Sequence, residues 1–147
     1  MKKRSSRLKV VLDLAERRKK DAEKFLGEQL QRVENDKLQL AQLESYLSEY
    51  QQQYLDALAA GQTPFVLQNF QAFMNKISVA IEQHKRSMQT NKNQLEQVRR
   101  YWAQMNGKFK AVDSLVEKAK GEEMAAQDKA LQKLLDERSQ LNRPPLI

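Results

Sequence analysis

The stretch from Thr63 to Ala119 carries apolar side chains in alternating steps of three and four residues. His84 and Asn91 are its two polar members, and the apolar members are Leu67, Phe70, Met74, Ile77, Ile81, Met88, Leu95, Val98, Trp102, Met105, Phe109, Val112, Val116 and Ala119. These steps average about 3.5 residues, which keeps one face of a long helix against a partner helix. The stretch is therefore predicted to be one arm of a coiled coil.

A second series with the same steps precedes it and supplies the partner. Its members are Leu8, Leu12, Ala15, Lys19, Ala22, Leu26, Gln29, Val33, Asp36, Leu40, Leu43, Leu47, Tyr50, Tyr54 and Ala57. Leu30 and Leu38 flank the series, so the register between about 26 and 40 stays open. Gly61 can end the first helix, Thr63 can cap the second, and Pro64 fits its first turn.

The sequence thus predicts an all-α protein, a long two-helix antiparallel coiled-coil hairpin in a single domain covering 1–147. The first helix is expected at about 8–59, the turn at about 60–63 and the second helix at about 64–141, with flexible ends at 1–7 and 142–147. If Gly61 and Gln62 form the bend, paired positions add to roughly 124 and Ala22 lies opposite Trp102. The register after Gly121 is open.

The end of the second helix has no partner in this arrangement. Apolar residues resume out of phase after Gly121, at Met124, Leu131, Leu134, Leu135 and Leu141, and Arg143, Pro144 and Pro145 end the helix. We therefore expect a C-terminal helical overhang with an uncovered apolar stripe, which is typical of a binding surface.

Composition argues against catalysis. The chain has no cysteine, its four glycines are isolated, and the positions one helical turn from His84 carry no metal ligand. A two-helix hairpin offers no concave pocket in which reacting groups converge. No catalytic residue, metal or cofactor is predicted, and the apolar runs are too short for a membrane-spanning helix or a secretory signal.

Charge and aromatic residues concentrate in different parts of the chain. The formal charge is +7, and residues 1–20 hold nine basic and two acidic side chains, which accounts for the whole excess. Six of the ten aromatic residues lie between Tyr46 and Phe73. The basic segment fits a solvated face, a protein contact, an anionic membrane surface or nucleic acid. The aromatic cluster fits either core packing or a partner contact.

Several local motifs resemble the FliJ family of flagellar export proteins. They are Leu12-Asp13-Leu14-Ala15-Glu16, Leu26-Gly27-Glu28, Tyr46, Glu49-Tyr50, Phe73 and the run from Ala80 to His84. The resemblance implies a cytoplasmic, stalk-like adaptor of type III protein export, peripheral on the inner face of the inner membrane. The implied partners are a hexameric export ATPase, whose assembly the stalk promotes, the transmembrane export gate and export chaperones. Whether the system is flagellar or of the injectisome type stays open.

The resemblance also assigns residues to the two main partners. A set matching the family's gate-contacting patch, called the gate set below, is Gln39, Leu43, Tyr46, Tyr50, Phe73, Ile77, Ala80 and His84. A second set lies at the basic end of the predicted hairpin, opposite the turn, and is expected to contact the ATPase. This set, called the ring set, consists of Arg7, Leu8, Arg17, Arg18, Lys110, Lys118 and Lys120. The alternative function is a basic coiled coil that binds nucleic acid or an anionic membrane.

Overall fold

The computed structural model describes residues 3–142 and consists of two helices. Helix α1 spans Arg4–Ala59 and helix α2 spans Pro64–Leu141, and the described residues contain no strand. The helices pack against each other as a hairpin, which confirms the predicted all-α fold. Residues 1–2 and 143–147 lie outside the described residues, and with them parts of both ends expected to be flexible and the predicted helix stop at Arg143, Pro144 and Pro145.

The chain divides into two compact units, to which both helices contribute. Unit 1 comprises Met1–Asp21 and Ala103–Ile147, and unit 2 comprises Ala22–Trp102. The single domain expected from sequence therefore stays a prediction. In unit 1 the buried apolar residues are Ala15, Met105, Val116 and Ala119; in unit 2 they are Ala22, Val33, Ala57, Ile77, Ile81 and Met88.

Within each unit the helices meet along the two predicted series. Every member of both series is buried or half-buried, whereas Leu30 and Leu38 are exposed. The packed residues between Leu26 and Leu40 are therefore Gln29, Val33 and Asp36, which determines the register of this stretch. The alternation of three and four residues is thus the pattern that selects which face of each helix packs.

The turn in unit 2 is built from the residues that the sequence singles out. Gly61 has a φ of 71°, and its N–H donates to the carbonyl of Leu58 while the N–H of Gln62 donates to that of Ala57, both at 3.1 Å. This pair of bonds is the Schellman motif, which closes a helix through a left-handed residue. Thr63 Oγ1 then accepts from the N–H of Val66 at 3.4 Å and caps α2.

Substituting Gly61 tests the turn, and Gly27 provides a matched control. A Cβ at either glycine meets no atom within 4 Å, so neither alanine variant introduces a clash. Gly61→Ala should lower the free energy of unfolding by about 1 kcal/mol because alanine is strained at positive φ. Gly27→Ala should raise it by about 1 kcal/mol because alanine favours the helix interior. Urea denaturation followed by helical circular dichroism measures both; shifts of the same sign would contradict the turn.

Helix α1 begins at Arg4, four residues before the start expected from the heptad pattern, and Glu123 of α2 explains the difference. The backbone N–H of Ser5 donates to Glu123 Oε1 at 3.1 Å, and Ser5 Oγ donates to Glu123 Oε2 at 2.6 Å. The first turn of α1 has no acidic residue of its own. Glu123 therefore supplies both an acceptor for a terminal N–H and the negative charge that a helix N-terminus favours.

These bonds make the start of α1 sensitive to acid. The two hydrogen bonds from Ser5, with a contribution from the charge of Lys3, lower the pKa of Glu123 below its ordinary value of 4.5. A lowered pKa in the folded state stabilises the contact above pH 4.5, and that stabilisation is lost as the pH falls through the folded-state pKa. Protection of the Ser5 amide against hydrogen exchange, measured relative to an unstructured peptide at the same pH, should therefore fall at acidic pH. Glu123→Gln should lower that protection, and so accelerate exchange, already at pH 7.

The neighbouring Glu122 is the control for this prediction. It pairs with Arg4 at 3.7 Å, but both side chains are more than half exposed. Exposed ion pairs contribute little, so Glu122→Gln should leave exchange at Ser5 nearly unchanged. Equal acceleration in the two variants would mean that general charge loss, and not the Ser5 bonds, fixes the start of α1.

Past Glu123, α2 continues, and none of the described residues covers it. Residues 124–142 are all exposed, including Met124, Leu131, Leu134, Leu135 and Leu141. The predicted C-terminal overhang is thus present in unit 1, and its apolar stripe faces solvent.

Candidate functional site

The gate set lies entirely in unit 2, and the structure separates its members by exposure. Gln39, Tyr46 and Phe73 are exposed, with 55% of Tyr46 and 44% of Phe73 accessible. Leu43, Tyr50, Ala80 and His84 are half-buried, and Ile77 is buried at 9%. Members of the set that also belong to the packed series therefore face the partner helix, and the exposed members are the ones able to touch another protein directly.

Aromatic side chains line a shallow cavity beside this set. The rings of Tyr50 and Phe73 are 4.5 Å apart with an interplanar angle of 47°. Together with Val66, Asn69 and Phe70 they line a cavity of about 250 Å³. Val66, Asn69 and Phe70 were not members of the gate set. The signal that could have found them is the aromatic density around Phe70, one helical turn from Phe73 on the same helix.

A layer of polar side chains crosses the packed face of unit 2 next to the gate set. Asn91 Nδ2 donates to Asp36 Oδ2 at 2.7 Å, and Gln29 Nε2 donates to the backbone carbonyl of Asn91 at 2.9 Å. His84 Nε2 lies 2.8 Å from the backbone carbonyl of Asp36. A carbonyl oxygen can only accept, so Nε2 carries the proton in this bond. His84 is thus held in a contact between the two helices.

The ring set lies entirely in unit 1 and is directed to several sides of the two helices. Leu8 is half-buried in the packed face, and the six basic members are exposed. Lys120 approaches Glu117 of its own helix at 3.9 Å. Arg17 lies on the outer face of α1, two positions before Lys19, whose ammonium sits 4.6 Å from the ring centroid of Phe109 in the packed face. The basic charge therefore surrounds the helices and does not form a single strip.

The described residues hold neither a metal-binding cluster nor a membrane-spanning helix. No group of three or more His, Cys, Asp or Glu side chains is arranged to hold a metal ion. None of the helices in residues 3–142 is long and apolar enough to cross a membrane.

Comparison with known proteins decides the family. The sequence model described as "Flagellar FliJ protein" matches residues 4–143, nearly the whole chain. The chain belongs to the flagellar FliJ protein family. It is 27% identical to the flagellar FliJ protein of Escherichia coli K12 and 26% identical to that of Salmonella typhi, each over 133 residues covering 90% of both chains. No solved structure matches it.

Membership of the FliJ family confirms the resemblance read from the sequence motifs and makes the chain a component of flagellar protein export. It also favours the flagellar system over the injectisome, which the sequence alone left open. The gate set and the ring set stay predictions.

Proposed function

We propose that this FliJ-family chain is a non-enzymatic adaptor that binds the hexameric flagellar export ATPase through the ring set and the transmembrane export gate through the gate set. The observation that carries the proposal is the assignment of the two sets to different compact units with different surface chemistry. Unit 1 presents basic side chains on several sides. Unit 2 presents exposed aromatic rings near its turn.

The charge distribution of the ring set supports binding inside a ring. A ring pore surrounds whatever occupies it, so its occupant must offer contacts on more than one side. Arg17 on α1 and Lys118 and Lys120 on α2 are exposed, and their spacing from the packed series places them on different faces of the helices. Surface charges of this kind guide encounter and orientation more than they add affinity. The proposed consequence is that the chain promotes assembly of the ATPase ring. Export chaperones are proposed as further partners. Binding to the transmembrane gate would place the chain at the inner membrane as a peripheral protein.

The test is whether the purified chain raises the activity and the hexamer fraction of its cognate export ATPase. We expect the wild-type chain to raise both, and Arg17→Glu combined with Lys118→Glu to lose most of the effect, because reversed charges oppose encounter with the ring. Phosphate release and mass photometry measure the two quantities. The matched control is Arg32→Glu combined with Lys92→Glu, an equal charge change on exposed residues of unit 2.

Two outcomes would contradict the ATPase assignment. One is unchanged stimulation of the ATPase by the ring-set variant. The other is an equal loss of stimulation in the control variant, which would mean that the effect depends only on net charge. The alternative function, binding of nucleic acid or an anionic membrane by the basic segment, predicts instead a salt-dependent shift of duplex DNA or sedimentation with anionic vesicles by the chain alone.

A further inference from the structure

A groove in unit 1 combines an apolar lining with a basic rim. Its apolar lining is formed by Val11, Leu14 and Ala15 of α1 and by Met105, Ala111 and Val112 of α2, and it encloses about 230 Å³. Arg18 of α1 and Lys108 of α2 complete the lining. Ala15 and Met105 are buried, whereas Val11 and Leu14 are about half exposed. The packing of the two helices therefore leaves a recess whose walls are apolar and accessible.

The basic rim is unusual because of where its two members lie in the heptads. Arg18 directly precedes the packed residue Lys19, and Lys108 directly precedes the packed residue Phe109. Positions that flank a coiled-coil seam normally pair opposite charges between helices. Arg4 and Glu122 hold the corresponding positions two heptads away along each helix, and they form such an ion pair at 3.7 Å.

Arg18 and Lys108 break this rule. Both are cations, and neither forms an ion pair with any acidic residue in the portion of the chain that the structure describes. Between the two pairs, the corresponding positions are occupied by Val11 and Leu115, which are 49% and 43% exposed. The edge thus presents apolar side chains next to uncompensated positive charge, which is the complement of an acidic amphipathic surface.

The backbone of the two helices determines which conformation a segment bound in the groove can adopt. All residues along the groove lie inside α1 and α2, whose main-chain groups bond within their own helices. An extended peptide would find no main-chain donors or acceptors there, whereas a helix satisfies its own. A helix also matches the direction of a recess that runs between two helices.

We propose that this groove binds an acidic amphipathic helix of a partner protein, which packs its apolar face against Val11, Leu14 and Leu115 and places carboxylates beside Arg18 and Lys108. The inference goes beyond the proposed function. It shares Arg18 with the ring set, but its other residues were assigned to neither partner.

The experiment uses the full-length chain and two synthetic 21-residue peptides. One has Leu at the a and d heptad positions and Glu at the flanking e and g positions; the other replaces every Glu with Lys. We expect the Glu peptide to bind the wild-type chain and the Lys peptide not to bind it. Arg18→Glu combined with Lys108→Glu should weaken the Glu peptide by about tenfold or more and admit the Lys peptide. Isothermal titration calorimetry measures both affinities.

The control variant and a positional readout make the result specific. Lys9→Glu combined with Lys129→Glu changes the same net charge in unit 1 away from the groove and should retain the Glu peptide. Methyl resonances of Met105 and Ala111 should shift on binding, and that of Met74 in unit 2 should not. Because no ATPase or gate is present, failure here leaves the proposed function standing, and failure of the proposed function leaves this result standing.

Five outcomes would overturn the inference. The first is equal Glu-peptide affinity in the wild-type chain and the Arg18/Lys108 variant. The second is equal loss in the control variant, and the third is a set of methyl shifts confined to other regions. The fourth is a groove already occupied by a second copy, seen as dimerisation in sedimentation equilibrium that Arg18→Glu with Lys108→Glu abolishes. The fifth is binding of phosphatidylglycerol vesicles through these two cations without peptide binding, which would make an anionic membrane the ligand of the groove.

Discussion

Asn91→Leu should lower the free energy of unfolding by about 2–3 kcal/mol, although it places an apolar residue in a packed coiled-coil face. The carboxylate of Asp36 is buried, with 8% of the residue exposed, and Asn91 Nδ2 donates to it at 2.7 Å. Removing that donor leaves a buried acceptor without its partner, which costs more than the hydrogen bond itself contributes. Urea denaturation monitored by helical circular dichroism measures the loss.

The double variant Asp36→Leu with Asn91→Leu isolates the cause. It removes both partners, so no buried carboxylate is left unsatisfied, and we expect stability equal to or above that of the wild-type chain. The bond from His84 to the backbone carbonyl of Asp36 needs neither side chain and can persist. If Asn91→Leu and the double variant unfold at the same urea concentration, the two side chains are not coupled.

The polar layer also has a consequence for binding. A single polar residue in a packed face costs stability but selects one register over its alternatives. Asp36, Asn91 and Gln29 lie in the same unit as the gate set, and His84 belongs to both groups. A shift in register would displace the two helices that carry the exposed gate residues. We therefore expect the double variant to be stable yet to bind the gate more weakly than the wild-type chain.

The packed face of each helix could be predicted from sequence because it depends on local spacing alone. Every residue in the two heptad series turned out buried or half-buried, polar members included. The open point at Leu30 and Leu38 needed the structure, since the four leucines between positions 26 and 40 satisfy more than one spacing. Contacts in the structure then select Gln29 and Asp36 as the packed residues, which composition alone would have placed on the surface.

Features that depend on residues far apart in the chain could not be predicted. The start of α1 at Arg4 depends on Glu123, which is 118 positions from Ser5. The basic rim of the groove depends on Arg18 and Lys108 having no acidic partner among residues 3–142, which becomes visible only when the heptad positions of both helices are aligned. In the candidate site, the sequence supplied the gate set as one group, and only burial divides it into exposed and packed members.

Because burial separates the gate set into exposed and packed members, mutations at the two kinds of position should have different effects. Tyr46→Ala combined with Phe73→Ala should weaken binding to the cytoplasmic part of the export gate by about tenfold or more, because exposed aromatic side chains are frequent binding anchors. Tyr46 and Phe73 are about half accessible, so the loss of helix on mutation should be small. Ile77→Ala, at a buried position, should instead lower the thermal midpoint of unfolding and weaken binding only through that instability.

Phe25→Ala is the matched control for this pair, since Phe25 is an aromatic residue of unit 2 that is 50% exposed and belongs to neither set. Surface plasmon resonance against the immobilised gate domain, run beside circular dichroism of each variant, separates binding from folding. Unchanged affinity in the Tyr46/Phe73 variant would remove these rings from the interface. Loss of helix in that variant would show that the rings support the packing of unit 2, and the exposed anchor would then have to be sought at Gln39, the remaining accessible member of the gate set.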